Sequence, residues 1–347
     1  MKTGAVTDDG IQVSLLTGWL GSGKTTLLNH LLQDPDMAET AVLVNEFGEI
    51  GIDHKLVEAV DENMVELTTG CLCCAVQGDL SRALRDLFLK RVKGEVPKFR
   101  RVLIETTGLA DPAPILHTLI NDPIICNRFY LDGVITTSDG VFGNEQLDNH
   151  EEPKKQIAVA DRIVLTKTDL GEKNKLNLLE KRIKQINPGA KIIRAVNGDV
   201  APKALFGCGL YNPESKTFDV QNWLRDEAYH SQNLHSKHQH NRHYGGISAF
   251  SMHYKEPIEW SAFVAWIQTL ITHRGENLLR IKGIVNIRDE NQPIAIHGVQ
   301  HIFHQPVRLP EWPNNARDTR IVFITRNLDE KIIKDSLDAL QKAAKKE

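Results

Sequence analysis

A glycine-rich segment that can wrap phosphate groups lies near the start of the chain. It runs from Gly18 to Thr26, reads GWLGSGKTT, and fits the phosphate-binding loop (P-loop) pattern G-x-x-x-x-G-K-[ST] in full. In this pattern glycines let the backbone approach the phosphates, the lysine reaches the β- and γ-phosphates, and the following hydroxyl ligates Mg²⁺. The predicted nucleotide-binding residues here are Gly18, Gly21, Ser22, Gly23, Lys24, Thr25 and Thr26. Lys24 and Thr25 are also predicted to act in catalysis, and Thr25 to bind Mg²⁺.

A carboxylate follows a second apolar run at a position where it can serve the same nucleotide. Val102-Leu103-Ile104 predicts a buried strand that ends in Glu105-Thr106-Thr107-Gly108. In P-loop proteins an acid after such a strand holds Mg²⁺, and a nearby glycine N–H can sense the γ-phosphate. A solvated loop glutamate is the alternative, but the P-loop in the same domain favours Mg²⁺ binding. We predict catalytic and Mg²⁺-binding roles for Glu105 and γ-phosphate contact for Gly108.

A third segment indicates which base the site selects. Thr166-Lys167-Thr168-Asp169 follows another apolar strand, and the Asp169 carboxylate can accept hydrogen bonds from guanine N1–H and the exocyclic amine. Adenine would leave that carboxylate mismatched. The predicted guanine-binding residues are Thr166, Lys167, Asp169 and, after the next strand, Asn197. The expected cofactors are therefore GTP or GDP together with Mg²⁺.

An acidic segment between the P-loop and Glu105 has the composition of a switch loop. Residues 45–53 read NEFGEIGID, with two glycines and three acids after a predicted strand end. Such a loop can reorder around the γ-phosphate and Mg²⁺, although an ordinary acidic turn explains it equally well. Glu46 and Glu49 are candidate metal ligands. Either of them, or Asp111, could position the attacking water, and the sequence ranks none of the three.

Three cysteines crowd into a spacing that is typical of metal chemistry. Gly70-Cys71-Leu72-Cys73-Cys74 is too tight for a secreted disulfide framework, and soft thiolates select Zn²⁺, Co²⁺ or Cu(I) over Mg²⁺. We predict that Cys71, Cys73 and Cys74 bind Zn²⁺ or Co²⁺. Three ligands are one short of a closed tetrahedral site, which suits a metal that must leave. Inert packing and redox sensing are the alternatives.

The remaining cysteines and the histidines carry weaker signals. Cys126 and Cys208 are isolated and are interpreted as structural. Residues 226–246 contain five histidines and end in two glycines, so this segment is either a metal-collecting loop or a solvated linker. His297, His301 and His304 are interpreted as surface or core residues rather than ligands.

Composition excludes several classes of protein. The formal net charge of -3 and the pI near 6.5 provide no basic field that would attract nucleic acid or anionic lipid. We find no signal peptide and no apolar run of about 18 residues that could span a bilayer. We therefore expect a cytoplasmic protein without nucleic-acid or membrane partners.

The elements that must position these residues alternate between apolar strands and amphipathic helices. Predicted strands cover 11–17, 41–45, 101–106, 132–137, 162–167 and 191–195, and predicted helices cover 24–32, 78–93, 112–120, 152–160 and 172–186. This alternation predicts an α/β P-loop GTPase domain with a mainly parallel sheet.

Beyond residue 246 the pattern changes. Predicted strands at 247–254, 278–287, 294–303 and 320–325 are combined with helices at 258–273 and 329–344, which indicates a smaller C-terminal α+β domain with an antiparallel sheet. The 347 residues suit two domains. We place the GTPase domain at 1–225, a His-rich linker at 226–246 and the C-terminal domain at 247–347.

Taken together, these residues resemble the CobW-type family of P-loop GTPases, relatives of the urease and hydrogenase accessory GTPases. The likeness rests on the P-loop, the N-E-F-G-x-x-G-I-D loop at 45–53, G-C-x-C-C at 70–74, Glu105 to Gly108, and Thr166 to Asp169. In the C-terminal region 274–276, 280–283 and 300–301 match as well. Thr166 stands where many GTPases carry asparagine, a variant that this family uses.

The resemblance implies a slow GTPase that binds zinc or cobalt at the cysteine motif and passes it to a metal-requiring client protein when the nucleotide state changes. The cysteines lie between the predicted switch loop and the strand before Glu105, so reordering around the γ-phosphate could open or close their shell. A homodimer is left open.

Two alternatives remain at this point. One is a regulatory G protein whose cysteines are structural and whose output is partner binding through the C-terminal domain. The other is a P-loop kinase with a small-molecule acceptor, which the guanine preference predicted from Asp169 disfavours.

Overall fold

The computed structural model describes residues 10–45, 66–69, 77–209, 246–312 and 317–344. These residues belong to two units, one built on a seven-stranded sheet and the other on a six-stranded sheet. The predicted linker 226–246, apart from Gly246, lies outside the described residues, so the domain boundaries stay a prediction. No helix in the described ranges is both long and apolar enough to cross a membrane.

The first sheet is parallel throughout its described strands, as the alternating sequence pattern predicts. Its strand order is β3-β2-β4-β1-β5-β6-β7. The strands are β1 (Ile11–Gly18), β2 (Thr40–Asn45), β3 (Glu66–Thr69), β4 (Arg101–Glu105), β5 (Phe129–Asp139), β6 (Arg162–Thr166) and β7 (Lys191–Arg194). The central strand β1 has Val13, Leu15 and Leu16 fully buried, which is typical of a parallel strand covered on both faces.

Seven α-helices accompany these strands in the described residues between 10 and 209. They are α1 (Lys24–Leu32), α2 (Gln77–Lys93), α3 (Ala113–Asn121), α4 (Gly143–Asn149), α5 (Glu152–Val159), α6 (Lys173–Ile186) and α7 (Pro202–Leu205). The sequence predicts five of them and misses α4 and α7. Both are short, and Leu147 is the one large apolar residue of α4.

The parallel arrangement brings the carboxyl ends of the central strands to one edge of the sheet. The register pairs Leu16 of β1 with Glu105 of β4, Gly18 with Thr137 of β5, and Asp139 with Thr166 of β6. The P-loop, Glu105 and the Thr166–Asp169 segment therefore leave the sheet side by side. This is the edge at which open α/β sheets bind ligands.

The second unit packs two helices with an antiparallel sheet, which confirms the predicted α+β architecture. Its sheet order is β11-β10-β9-β13-β8, with β12 paired to β10. The elements are β8 (Ile247–Tyr254), α8 (Trp260–Arg274), β9 (Leu278–Val285), β10 (Ile294–Val299), β11 (Ile302–Phe303), β12 (Val307–Arg308), β13 (Thr319–Arg326) and α9 (Glu330–Ala344). Trp266 of α8 is fully buried, and its indole N–H donates to Ser336 Oγ of α9 at 2.9 Å.

One predicted strand of this unit is wrong. The sequence predicts a continuous strand at 294–303, whereas the chain turns at Gln300 and forms the hairpin of β10 and β11. Gln300 has a φ of +53°, a conformation that interrupts a strand and is uncommon outside glycine. The alternating apolar residues on both sides of the turn conceal it in the sequence.

Candidate functional site

The P-loop connects β1 to α1 through backbone conformations that need glycine. Gly18 has a φ of +146°, and a Cβ atom there would lie 2.2 Å from Oγ1 of Thr137. Gly23, the N-cap residue of α1, has a φ of +89°. A side chain at Gly18 would clash, and one at Gly23 would be strained. The loop leads directly into the N-terminus of α1, the end of a helix that favours bound anions.

Lys24 lies within the loop, with its side chain largely buried. Its Nζ donates to the carbonyl oxygens of Gly18 at 3.0 Å and Trp19 at 3.2 Å. Burial lowers the pKa of Lys24, and the nearby Glu105 carboxylate partly opposes that shift. The ammonium group is therefore held where the P-loop pattern places a phosphate-binding cation.

Thr25 and Glu105 meet across the end of the sheet. Thr25 Oγ1 donates to Glu105 Oε1 at 3.1 Å, and Glu105 is 5% exposed. The contact joins residues 80 positions apart in sequence, so the fold brings together the two groups that the sequence predicts for Mg²⁺. A hydroxyl and a carboxylate are hard oxygen donors of the kind that Mg²⁺ prefers.

The segment after Glu105 packs directly on the P-loop. Thr106 donates its N–H to the Leu16 carbonyl and its hydroxyl to Thr17 Oγ1, both at 2.9 Å. A Cβ atom at Gly108 would lie 2.5 Å from the backbone nitrogen of Leu20. Only a glycine permits this close approach, which places Gly108 against the phosphate-binding loop.

Asp111 is held by structural contacts. Its Oδ1 accepts the N–H of Ala113 at 3.0 Å at the start of α3, and its Oδ2 lies 3.4 Å from Lys155 Nζ. Asp111 is one of the three candidates that the sequence offers for positioning water, and that role stays a prediction, because each carboxylate oxygen can accept more than one hydrogen bond.

The Thr166–Asp169 segment is tied to the P-loop by side chains. Thr166 Oγ1 donates to the Ser22 carbonyl at 2.8 Å. Lys167 Nζ donates to the Gly21 carbonyl at 2.8 Å and to Asp139 Oδ2 at 2.6 Å. The segment predicted to read the base and the loop predicted to hold the phosphates therefore form one connected network.

Two members of this network were missed by sequence reasoning. Thr137 Oγ1 lies 2.6 Å from Ser22 Oγ, and Asp139, 1% exposed, receives Lys167. Both belong to the polar end of β5, where Thr137-Ser138-Asp139 complete the strand. That polar ending was the available signal, because the end of a buried strand at this edge faces the site.

Asp169 and Asn197 lie in the loops that follow β6 and β7. Asp169 is exposed, so its carboxylate is accessible to a base. Thr168 Oγ1 donates to the Ala195 carbonyl at 3.2 Å and links the two loops. Asn197 has a φ of +51°, and a Cβ atom at the following Gly198 would lie 2.7 Å from the Thr26 carbonyl of α1.

The predicted transition-metal ligands Cys71, Cys73 and Cys74, and the switch-loop acids Glu46 and Glu49, lie outside the described residues. Within the described ranges, no group of three or more His, Cys, Asp or Glu side chains is arranged to hold a metal ion.

The isolated cysteines and the C-terminal histidines differ in burial and contacts. Cys208 is buried and its Sγ donates to the Leu205 carbonyl at 3.0 Å, as expected for a structural cysteine. Cys126 is exposed, so its interpretation as structural stays a prediction that burial does not support. The rings of His297 and His304 stack at 4.8 Å, while His301 is exposed.

Comparison with known proteins covers both units. The sequence profile described as "CobW/HypB/UreG, nucleotide-binding domain" matches residues 12–194, and that of the "Cobalamin synthesis protein cobW C-terminal domain" matches residues 247–341. The zinc chaperone YjiA of Escherichia coli is 33% identical over 336 residues, which cover 96% of this chain and 99% of YjiA. The zinc chaperone CobW of Pseudomonas aeruginosa is 31% identical, with 94% and 90% covered.

A solved structure extends the likeness to three dimensions. The crystal structure of Zn(II)-bound YjiA GTPase from E. coli superposes with a TM-score of 0.69 at 29% identity, covering 95% of this chain and 99% of that chain. The two-unit architecture described above is therefore shared with a protein that was crystallised with zinc.

Proposed function

The chain belongs to the CobW/HypB/UreG family of nucleotide-binding proteins, and from this premise we propose that it is a GTP-hydrolysing metallochaperone. In this proposal it binds Zn²⁺, or alternatively Co²⁺, at Cys71, Cys73 and Cys74 and delivers the metal to a client protein in the cytoplasm. The nucleotide state controls retention of the metal.

The observation that carries the nucleotide part is the hydrogen bond of Thr25 to Glu105 at 3.1 Å. It joins the P-loop to the acid after β4. Lys167 joins the same loop to the base-reading segment at 2.8 Å. In this assignment Lys24 and the loop N–H groups bind the phosphates, and Asp169 selects guanine through its two acceptor oxygens.

Mg²⁺ fits the pair formed by Thr25 and Glu105, because both offer hard oxygen atoms at the end of the phosphate loop. When bound, the ion neutralises charge that develops on the β- and γ-phosphates. The protein's own residues supply the rest: Lys24 adds positive charge at the phosphates, and the glycine-rich turn orients the backbone N–H groups.

Zinc is the preferred cargo in this proposal. Two relatives that align along nearly the whole chain are named zinc chaperones, and the thiolates of C-x-C-C suit Zn²⁺ and Co²⁺. Cellular availability, in addition to affinity, decides which of these metals is loaded.

A chain of contacts supports coupling between nucleotide and metal. The segment after Glu105 leads into α3, and Asp122 at the end of α3 accepts hydrogen bonds from Ser81 Oγ at 2.5 Å and Arg85 Nη2 at 3.0 Å. Both donors belong to α2, which begins three positions after Cys74. In this proposal, a shift of the segment after Glu105 is passed through α3 to α2, and from α2 to the cysteines that precede it in sequence.

Metal titration in two nucleotide states tests the proposal. The affinities for Zn²⁺ and Co²⁺ would be measured with a chelating competitor, in the presence of Mg²⁺ and either GDP or a non-hydrolysable GTP analogue. Wild type should bind tightly, and the affinity should differ at least tenfold between the two states, about 1.4 kcal/mol of coupling. Cys73→Ser should lose tight binding in both states.

Cys126→Ser is the matched control, because Cys126 is an exposed cysteine of the same unit outside the motif. It should bind metal like wild type. Metal affinity that is equal in the two nucleotide states, or unaffected by Cys73→Ser, would contradict the proposal and favour the regulatory G protein with structural cysteines.

A further inference from the structure

Gln156 of α5 is a buried polar residue that belongs to none of the recognised motifs. It is 1% exposed. Its Nε2 donates to the Gly108 carbonyl at 3.1 Å and to the Ala110 carbonyl at 3.2 Å. One side chain therefore holds two peptide groups of the segment that follows Glu105.

These contacts require a hydrogen-bond donor, which the carboxamide of Gln156 supplies. Both partners are carbonyl oxygens, which only accept hydrogen bonds, so the NH₂ group of Gln156 must face them. Its Oε1 is buried and accepts no hydrogen bond from the described residues. A carboxylate or an apolar side chain of similar size would leave both carbonyls without a donor.

A second residue of α5 holds the same segment. Lys155 Nζ lies 3.4 Å from Asp111 Oδ2, so adjacent positions of one helix contact residues 108, 110 and 111. On its other side the segment packs closely against the P-loop. A Cβ atom added at Gly108 would lie only 2.5 Å from the Leu20 nitrogen. The segment is fixed between α5 and the phosphate-binding loop.

The P-loop itself also contacts the region that leads into α5. The Trp19 ring stacks on His150 with centroids 4.4 Å apart and planes inclined by 26°. Trp19 and Gln156 line one cavity of about 10 Å³. The P-loop and the segment predicted to sense the γ-phosphate therefore both contact residues in or just before α5.

We infer that Gln156 is a positioning residue that orients the Gly108 segment for contact with a γ-phosphate, and that it thereby sets the preference for GTP over GDP. This inference rests on the proposed nucleotide function. GDP lacks the γ-phosphate, so it gains nothing from a preorganised Gly108 N–H, whereas GTP does.

The test compares affinities for GDP and for a non-hydrolysable GTP analogue, both with Mg²⁺, by displacement of a fluorescent nucleotide. Gln156→Met keeps the side-chain length without a donor, and Gln156→Glu replaces the NH₂ by an acceptor. Both should lower affinity for the GTP analogue about tenfold while GDP affinity stays within about twofold of wild type, because two buried carbonyls lose their donor.

Thr136→Val is the matched control. The Thr136 hydroxyl donates to the backbone carbonyl of Gln156 at 2.9 Å, so this variant removes a buried hydrogen bond beside α5 and leaves the carboxamide contacts intact. The ratio of the two affinities should match that of wild type.

The affinity for GDP shows whether each variant is folded. The ratio of the affinities for the GTP analogue and GDP shows whether Gln156 positions the Gly108 segment. An unchanged ratio, or an equal loss for both nucleotides, would overturn the inference while leaving the proposed function intact. Failure of the wild type itself to bind guanine nucleotides would instead overturn the proposed function, and the inference with it.

Discussion

At the scale of single residues, a substitution at Glu105 can remove the side-chain charge without changing the side-chain size. Glu105→Gln keeps the side-chain size and an oxygen that can accept from Thr25, but it removes the negative charge that we propose for Mg²⁺ binding. We expect GTP hydrolysis to fall about a hundredfold, measured as phosphate release at saturating GTP and Mg²⁺. Glu145→Gln, at an exposed position of α4, should retain wild-type activity. Hydrolysis by Glu105→Gln within threefold of wild type would remove Glu105 from the catalytic machinery.

Asp169 offers a test of base selection. Asp169→Asn exchanges one acceptor oxygen for an NH₂ donor, which matches the O2 carbonyl of xanthine better than the amine of guanine. We expect affinity for GTP to fall at least a hundredfold and affinity for XTP to rise, measured by competition with a fluorescent nucleotide. Asp199→Asn changes another exposed aspartate, which follows β7, and should leave the preference unchanged. Unaltered discrimination by Asp169→Asn would place the base elsewhere.

The residues that sequence reasoning found belong to recognisable local motifs, and those that it missed do not. The P-loop and Thr166–Asp169 are local patterns, so their spacing alone predicts them. Asp139 and Gln156 act through partners 28 and 46–48 positions away. No local sequence pattern identifies these hydrogen-bonded pairs, and they become apparent only in the folded structure.

At the scale of elements, Asp122 ties α2 to the end of α3. Burial alone would raise the pKa of Asp122, but hydrogen bonds from Ser81, from Arg85 and from two backbone N–H groups outweigh it and lower the pKa to about 2. The carboxylate of an unfolded chain titrates near 3.8. The charged form is therefore the one that the folded protein stabilises.

This shift predicts a pH dependence of stability. A depressed folded pKa contributes stability that is complete above the unfolded pKa and is lost as the pH falls toward the folded value. Asp122→Asn should lower the free energy of unfolding by about 2 kcal/mol at pH 7. The difference from wild type should shrink as the pH falls from about 4 toward 2, as checked by denaturant unfolding at each pH.

Asp86→Asn is the control for this experiment, because Asp86 is exposed on the same helix α2. It should change stability by less than about 0.5 kcal/mol. A deficit of Asp122→Asn that stays constant across the acidic range would show that packing, and not charge, causes it.

Long elements with a clear apolar period are the easiest to predict from the sequence. The eight-residue strands β1 and β8 and the amphipathic helices α2 and α6 are examples. The sequence also predicts the four-residue β7, but it does not identify β3, with four residues, or β11 and β12, with two each, as separate strands. Their pairing is decided by neighbouring strands rather than by their own sequence.

At the scale of the whole molecule, coupling between metal and nucleotide must be reciprocal. If the GTP analogue changes Zn²⁺ affinity by some factor, Zn²⁺ must change affinity for the analogue by the same factor. We expect saturating Zn²⁺ to shift the dissociation constant of the GTP analogue relative to that of GDP at least tenfold in wild type, as measured by calorimetry. In Cys73→Ser the metal should have no effect. A wild type that ignores Zn²⁺ in this assay would refute the coupling.

The double attachment of Lys167 has a consequence for the kinetics of nucleotide release. Its ammonium group bonds the Gly21 carbonyl of the P-loop and the buried Asp139 carboxylate at the same time. This side chain therefore links the loop predicted to hold the phosphates to the segment predicted to read the base, in addition to the bond from Thr166 to Ser22. In the proposed site, a change that weakens Lys167 is expected to shorten the residence time of GDP and GTP alike.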